Sequence, residues 1–157
     1  MNSEYSALFT PWKIGNVEIK NRIVLCPMGG TSLFGWMEPN HFDKESANFF
    51  LERAKNNVGL IIPGIAPLKD TIGNRWLYQN KKMFKDLKVF MDEIHKTGAK
   101  LFVQLTAGFG RSFAITDPLA KLYNTPLRTL MKPVLDLGYL CASPSELPSR
   151  WAENVTC

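Results

Sequence analysis

Three short segments of the chain carry residue types suited to holding a flat polar ligand. In chain order they are Cys26-Pro27-Met28-Gly29, Pro63-Gly64 and Gln104. Proline is rigid, methionine is polarizable, and glycine lets a ligand approach the backbone. A glutamine amide donates and accepts hydrogen bonds at the same time. Such a set would suit a planar heterocycle with alternating C=O and N–H groups along one edge.

Each of these residues also has an ordinary structural interpretation. For Met28 taken alone, filling the core is the favoured one, and Gly64 would equally end a strand. Gln104 differs, because a polar amide inside the apolar run FVQLT costs free energy unless it is hydrogen-bonded. We therefore expect Gln104 to have a partner. Spacing alone leaves several planar ligands open.

The hydrophobic pattern predicts strands that end at these segments. Residues 8–23 alternate apolar and polar positions around Gly15-Asn16, which predicts a β-hairpin. Continuous apolar runs are typical of parallel strands buried on both faces. Such runs occupy residues 22–28, 58–64 and 99–106. The candidate residues therefore lie at or near the ends of three predicted strands.

Two amphipathic helices are predicted between the strands. The first spans 41–57, begins near Asn40 and carries Asp43 in its first turn. The second spans 83–97 and stops at Gly98. Their apolar positions at helical spacing are Phe42, Phe49, Phe50 and Ala54 in the first helix and Phe84, Leu87, Phe90, Met91 and Ile94 in the second.

This order of elements predicts βαβ units with a parallel sheet, an α/β fold. Residues 107–157 hold five of the ten prolines and a weak helical stretch over 119–131, so we expect a long loop region there. A closed (β/α)8 barrel needs roughly 250 residues. Residues 1–157 are therefore expected to form an incomplete TIM barrel of about three βα units after the hairpin. The open sheet edge would allow self-association or completion by a partner chain.

Composition and charge argue against several classes of protein. The chain is 45% hydrophobic and 21% charged, as globular domains are. Its net charge is +5, but the densest basic cluster falls on a predicted solvated helix face, so we expect no nucleic-acid partner. That cluster consists of Lys81, Lys82, Lys85 and Lys88.

Targeting features and cysteines give further expectations. Residues 1–10 lack the pattern of a signal peptide, and no apolar run reaches the roughly 18 residues of a membrane span. Cys26, Cys141 and Cys157 form neither a disulfide framework nor a CxxC metal pair. We therefore expect a cytoplasmic protein without a membrane partner or a metal site.

Three stretches of sequence resemble the beginning of the Old Yellow Enzyme family. They are LFTPWKIGNVEIKNRIVLCPMGG, ERAKNNVGLIIPGIAP and GAKLFVQLTAGFGR. The similarity is greatest to the NADH:flavin oxidoreductase branch, which includes 2,4-dienoyl-CoA reductase, 2-enoate reductase and the bile-acid-inducible steroid oxidoreductases. It covers residues 8–111 and, less tightly, the segment up to Cys157.

The resemblance implies an FMN-binding (β/α)8 barrel. In this family NADH or NADPH reduces the flavin, which passes hydride to an activated C=C bond of a small-molecule substrate such as an enoate, enoyl-CoA or steroid enone. Carried over by position, Cys26, Pro27, Met28 and Gly29 would lie along the isoalloxazine ring. Gly64 would approach its pyrimidine side, and Gln104 would pair with the pyrimidine edge, where donors stabilise reduced flavin.

Departures from the family pattern limit the prediction. Gly29 replaces a Thr or Cys that several relatives use to bind flavin O4, and Arg111 lies in TAGFGR, without the family's histidine. The family's substrate donors, proton-donating tyrosine and phosphate-gripping loops lie further along than residue 157. A 4Fe-4S cluster and FAD are expected only in full-length relatives. The chain alone is therefore expected to be a truncated, inactive fragment with no catalytic residue.

A weaker alternative is a Rossmann-type dinucleotide site at Gly108 and Gly110, which follow the third apolar run. The third glycine of that motif is missing, since Phe113 takes its place.

Overall fold

The computed structural model describes residues 3–28, 31–34, 42–70, 72–108, 110, 116–142, 146–149 and 155. The chain divides into two compact units. The first unit contains residues 1–35, 40–66 and 81–104, and the second contains residues 36–39, 67–80 and 105–157.

The first unit begins with the predicted hairpin. A 3-10 helix, Ser3–Phe9, precedes strands β1 (Trp12–Ile14) and β2 (Val17–Ile19), which pair antiparallel. Ile14 lies opposite Val17, so Gly15-Asn16 forms a two-residue loop. Gly15 has φ +57°, and a type II′ hairpin turn requires this conformation at its first position. The hairpin prediction is confirmed.

The three predicted strands form one parallel sheet. Strands β3 (Val24–Leu25) and β4 (Leu60–Ile61) pair in register, and β4 also pairs with β6 (Lys100–Leu101). Leu60 and Ile61 are buried, as expected for a central parallel strand. Each strand is shorter than its apolar run. The last run is divided, because β7 (Leu105–Thr106) pairs instead with β5 (Ala66–Pro67) in a separate two-stranded sheet.

Both predicted helices are present, with shifted beginnings. Helix α1 spans Lys44–Lys55, and the carboxylate of Asp43 accepts a hydrogen bond from the Ser46 amide at 2.9 Å. Asp43 is thus the N-cap and not a first-turn residue, while Asn40 lies outside the described residues. Helix α2 spans Lys81–Lys96 and is followed by Gly98 with φ +76°, the conformation of a helix stop.

The buried stripe of α2 differs from the predicted one. Met83, Phe90 and Ile94 are buried, whereas Phe84 is 40% exposed. Positions 83, 90 and 94 share one helical face and position 84 is rotated about 100° from it, so the expectation for Phe84 was wrong. The opposite face carries the predicted solvated lysines. These are Lys81, Lys82, Lys85 and Lys88, all exposed.

Two polar residues after β2 anchor the hairpin to the rest of the first unit. Asn21 is only 2% exposed; its side chain donates to the Asn57 carbonyl at 2.7 Å and accepts from the Ile23 amide at 3.1 Å. Lys20 donates from Nζ to the Thr97 carbonyl just after α2, at 2.8 Å. A cation is favourable there because the carbonyl end of a helix carries partial negative charge.

The second unit contains more regular structure than the predicted loop. Helices α3 (Asp117–Tyr123), α4 (Leu127–Met131) and α5 (Leu137–Leu140) lie in the 107–157 segment. The weak helical stretch over 119–131 is interrupted at Pro126, which lacks the N–H that a continuous helix needs. Cys141, Ala120 and Val155 form a small buried cluster in this unit. Within the described ranges, no helix has the length and apolar character needed to cross a bilayer.

We expect Asn21→Leu to lower the free energy of unfolding by about 1–3 kcal/mol, because it removes the hydrogen bonds that the Asn21 side chain makes to the Asn57 carbonyl and the Ile23 amide. Urea titration followed by circular dichroism measures the change. Asn48→Leu, on the exposed surface of α1, is the matched control and should shift stability by less than about 0.5 kcal/mol. Equal effects of the two substitutions would contradict the anchoring role of Asn21.

Candidate functional site

The three candidate segments meet at one edge of the first unit's parallel sheet. Strands β3, β4 and β6 are adjacent and parallel, so their carboxyl ends lie side by side. Met28 lies three residues after β3, Gly64 three after β4, and Gln104 three after β6. In α/β barrels this end of the strands carries the functional residues.

At Gly64, just after β4, the backbone packs tightly against Met28 and Thr31 of the segment that follows β3. Its amide donates to the Thr31 carbonyl at 3.0 Å. A Cβ at this position would lie 2.7 Å from the Met28 carbonyl oxygen and 3.1 Å from the Thr31 carbonyl carbon. The missing side chain therefore makes room for backbone of the same chain. Close approach of a ligand to Gly64 stays a prediction.

Two hydroxyl residues that the sequence argument missed fix this contact. Thr31 donates from Oγ1 to the Met28 carbonyl at 2.9 Å. The Ser32 hydroxyl lies 2.7 Å from the Ile65 carbonyl and 2.9 Å from the Phe34 carbonyl, and can donate to one of them at a time. The only signal in the sequence was a Thr-Ser pair after two glycines, a composition typical of loops in which hydroxyls bond nearby backbone.

Gln104 is not the buried amide that its sequence context predicted. Its side chain is exposed, and the residue lies between the end of β6 at Leu101 and the beginning of β7 at Leu105. The expected desolvation cost does not arise, so the expectation that the amide has a partner within the protein was wrong. Its backbone is held in place, since the Gln104 carbonyl accepts from the Ala66 amide at 2.8 Å.

The side chains beside Gln104 on this edge are also exposed. Cys26 and Pro27 are exposed, and Met28 is 42% exposed, so core filling was the wrong interpretation of Met28. Gly29, Arg111 and Cys157 lie outside the described residues. The edge thus offers a proline ring, a thioether and a free amide on a fixed backbone, which fits a planar heterocycle with polar groups along one side. In the described ranges, no three His, Cys, Asp or Glu residues are grouped so as to hold a metal.

Residues 7–134 match the sequence profile of the NADH:flavin oxidoreductase / NADH oxidase family. The chain belongs to this family. The match includes all three strand ends of the candidate site, and it confirms the predicted family.

Similar proteins include two bacterial enzymes. Over its whole length the chain is 34% identical to a cinnamate reductase of Clostridium sporogenes and covers 22% of that protein. Over 98% of its length it is 28% identical to an NADH oxidase of Thermoanaerobacter brockii and covers 23% of that protein. The chain therefore spans less than a quarter of either relative.

Solved structures confirm the fold class. Over 67% of the chain the fold matches 27% of an Old Yellow Enzyme from a Pichia species, with a TM-score of 0.51 and 26% identity. The chain is thus part of a TIM-barrel fold.

The dinucleotide alternative loses its support at Gly108. This residue has φ +143°, and a Cβ there would lie 2.8 Å from the Tyr139 carbonyl and 3.0 Å from the Leu140 carbonyl. The close packing against α5 and the positive φ explain why a glycine stands at position 108. No bound phosphate is needed to explain it.

We expect Gly64→Ala to displace the Met28 carbonyl and to destabilise the chain by about 1–3 kcal/mol, because backbone atoms cannot move aside as a flexible side chain does. Urea unfolding measures the loss, and amide chemical shifts of Met28 and Thr31 measure the displacement. Gly138→Ala is the control, since its Cβ would meet its nearest neighbour at an ordinary 3.5 Å. Unchanged shifts in Gly64→Ala would show that the contact is not tight.

Proposed function

We propose that the chain supplies one part of the flavin cradle of an FMN-dependent oxidoreductase, formed by Cys26, Pro27, Met28, Gly29, Gly64 and Gln104. Bound FMN would supply hydride transfer from NADH or NADPH to an activated C=C bond. The residues of the chain would hold and orient the ring. Met28 and Pro27 offer apolar contact, and the Gln104 amide offers a donor and an acceptor to the pyrimidine edge.

The observation that supports this role most strongly is the shared strand-end edge. Exposed Met28 and Gln104 side chains extend from backbone fixed by hydrogen bonds at Thr31, Gly64 and Ala66. A fixed backbone lowers the entropic cost of binding, because only the exposed side chains then have to be ordered. An amide donor at the pyrimidine edge would favour the reduced, negatively charged flavin.

The substrate class that we propose is a small molecule with an activated C=C bond, such as an enoate. The name of the cinnamate reductase supports this class, since cinnamate is an arylacrylate. Because the chain covers 22% of that relative, substrate-binding groups of the whole protein would lie outside the 157 residues. The domain we propose is the N-terminal portion of an FMN-binding barrel, with 107–157 as the segment after the third strand.

Further cofactors and location follow the same reasoning. A 4Fe-4S cluster and FAD would belong to full-length relatives, and we assign neither to this chain. We propose a cytoplasmic location, which the free thiol of Cys26 supports. We assign no nucleic-acid or membrane partner.

We expect millimolar FMN to shift the NMR signals of the strand ends in the purified chain, with the largest changes at Met28, Thr31 and Gln104. Gln104→Leu should weaken the binding by about tenfold, because a donor and an acceptor to the pyrimidine edge are lost. The titration is followed by heteronuclear NMR, with Asn48→Leu as a control variant remote from the edge.

Absence of shifts, or shifts confined to other surfaces, would overturn the cradle. The same samples test the expected inactivity. NADH absorbance with FMN should decay no faster than with free FMN alone. Stoichiometric bound FMN together with rapid NADH oxidation would contradict the proposal that this chain is an inactive part of an enzyme.

A second candidate function is a non-catalytic half-barrel that self-associates through its open sheet edges or completes itself with a partner chain. The observation that favours it is that, among the described strands, β3 and β6 each bond only to β4. Unpaired strand edges attract further strands. We expect a concentration-dependent shift to larger species in size-exclusion chromatography, and a clean monomer at all concentrations would count against this role.

A further inference from the structure

Within the second unit, the segment after β5 is bound to the segment before α5 by several separate contacts. Residues 68–70 and 72–77 belong to a closed turn, since the Leu77 amide donates to the Leu68 carbonyl and the Asp70 amide to the Arg75 carbonyl, both at 2.8 Å. This turn then bonds to residues 132–136. The contacts are a hydrogen bond from the Gly73 amide to the Val134 carbonyl at 2.9 Å, one from the Asn74 side chain to the Lys132 carbonyl, and a bridge between Ile72 and Leu135.

A largely buried ion pair joins the same two segments. Lys69 Nζ lies 3.0 Å from Asp136 Oδ2, with side-chain exposures of 10% and 13%. The second carboxylate oxygen accepts from the Tyr139 amide at 3.1 Å, so Asp136 also caps α5. Among the ion pairs of the described residues this is the most buried, and the other three have side chains 35–77% exposed.

Two aromatic rings enclose the lysine. Its Nζ lies 5.2 Å from the ring centre of Tyr139 and 5.5 Å from that of Trp76, and the two rings meet edge to face at 6.0 Å. Burial alone would raise the pKa of Asp136, but the hydrogen bonds from Lys69 and from the Tyr139 amide outweigh it and lower that pKa. The ring faces and the carboxylate together replace the water that the ammonium loses.

We propose that the Lys69–Asp136 pair is a latch that makes residues 68–77 and 132–141 open and close as one body. If the two charges moved apart inside the protein, each would be left desolvated without its partner, which is strongly unfavourable. Opening therefore hydrates both charges at once. The turn around Gly73 and the cap of α5 then lose their support together, although more than fifty residues of chain lie between them.

Amide hydrogen exchange of the full chain tests the latch. Lys69→Met keeps the apolar stem between the rings and removes the charge. We expect exchange to accelerate by at least about tenfold in both segments and by a similar factor in each. The reporting amides are Asp70 and Leu77 in one segment and Leu140 and Cys141 in the other, each bonded within its own segment.

Two further variants make the result decisive. Asp136→Asn keeps an acceptor for the Tyr139 amide but removes the charge, and it should reproduce the effect of Lys69→Met. Lys88→Met breaks an exposed Lys88–Asp92 pair of the same 3.0 Å length and should change nothing in either segment. Acceleration confined to one segment would overturn the latch. Equal acceleration at the Ile62 and Phe102 amides of the parallel sheet would also overturn it, because the pair would then support the whole fold.

Discussion

The architecture of the first unit depends on the central position of β4. Among the described residues, the backbone hydrogen bonds that join the three parallel strands involve β4 or a residue directly beside it. The Gly59, Leu60 and Ile62 amides donate to the strand before them, and the Gly59 and Ile61 carbonyls accept from the strand after them. Parallel strands cannot be joined by tight turns, so α1 and α2 are needed to return the chain to the same edge. The strand ends can share a site only because β4 holds both neighbours in register.

The proposed flavin cradle rests on different evidence for its backbone and for its side chains. The backbone geometry comes from contacts that the chain makes with itself, above all at Gly64. The proposal that the ligand is a flavin rests on family membership and on the chemistry of Gln104 and Met28. These two lines are independent, because a packed strand end would exist without a ligand. The exposed side-chain amide of Gln104 therefore supports a bound ligand, since packing within the protein does not account for a polar side chain at this position.

The sequence predicted elements with strong periodicity and failed where distant contacts decide the structure. The hairpin, the parallel order of the strands and both long helices follow from local patterns around Gly15, Ile61 and Gly98. The split of the third apolar run could not be foreseen, because β7 pairs with β5 and only the folded chain brings them together. Gln104 was misjudged for the same reason. Lys69 carried no signal at all, since its partner Asp136 is 67 residues away.

The bond between Lys20 and the Thr97 carbonyl has a consequence for how the chain folds as it is synthesised. The hairpin leaves the ribosome before its anchors at Asn57 and Thr97, which come 36 and 77 residues later. A two-stranded hairpin alone is marginally stable in water. The hairpin therefore stays marginally stable until α2 has been synthesised and the Thr97 carbonyl can accept the hydrogen bond from Lys20. Distant contacts of this kind slow folding, so the N-terminal hairpin, although made early, is expected to be among the last parts of the first unit to become fixed.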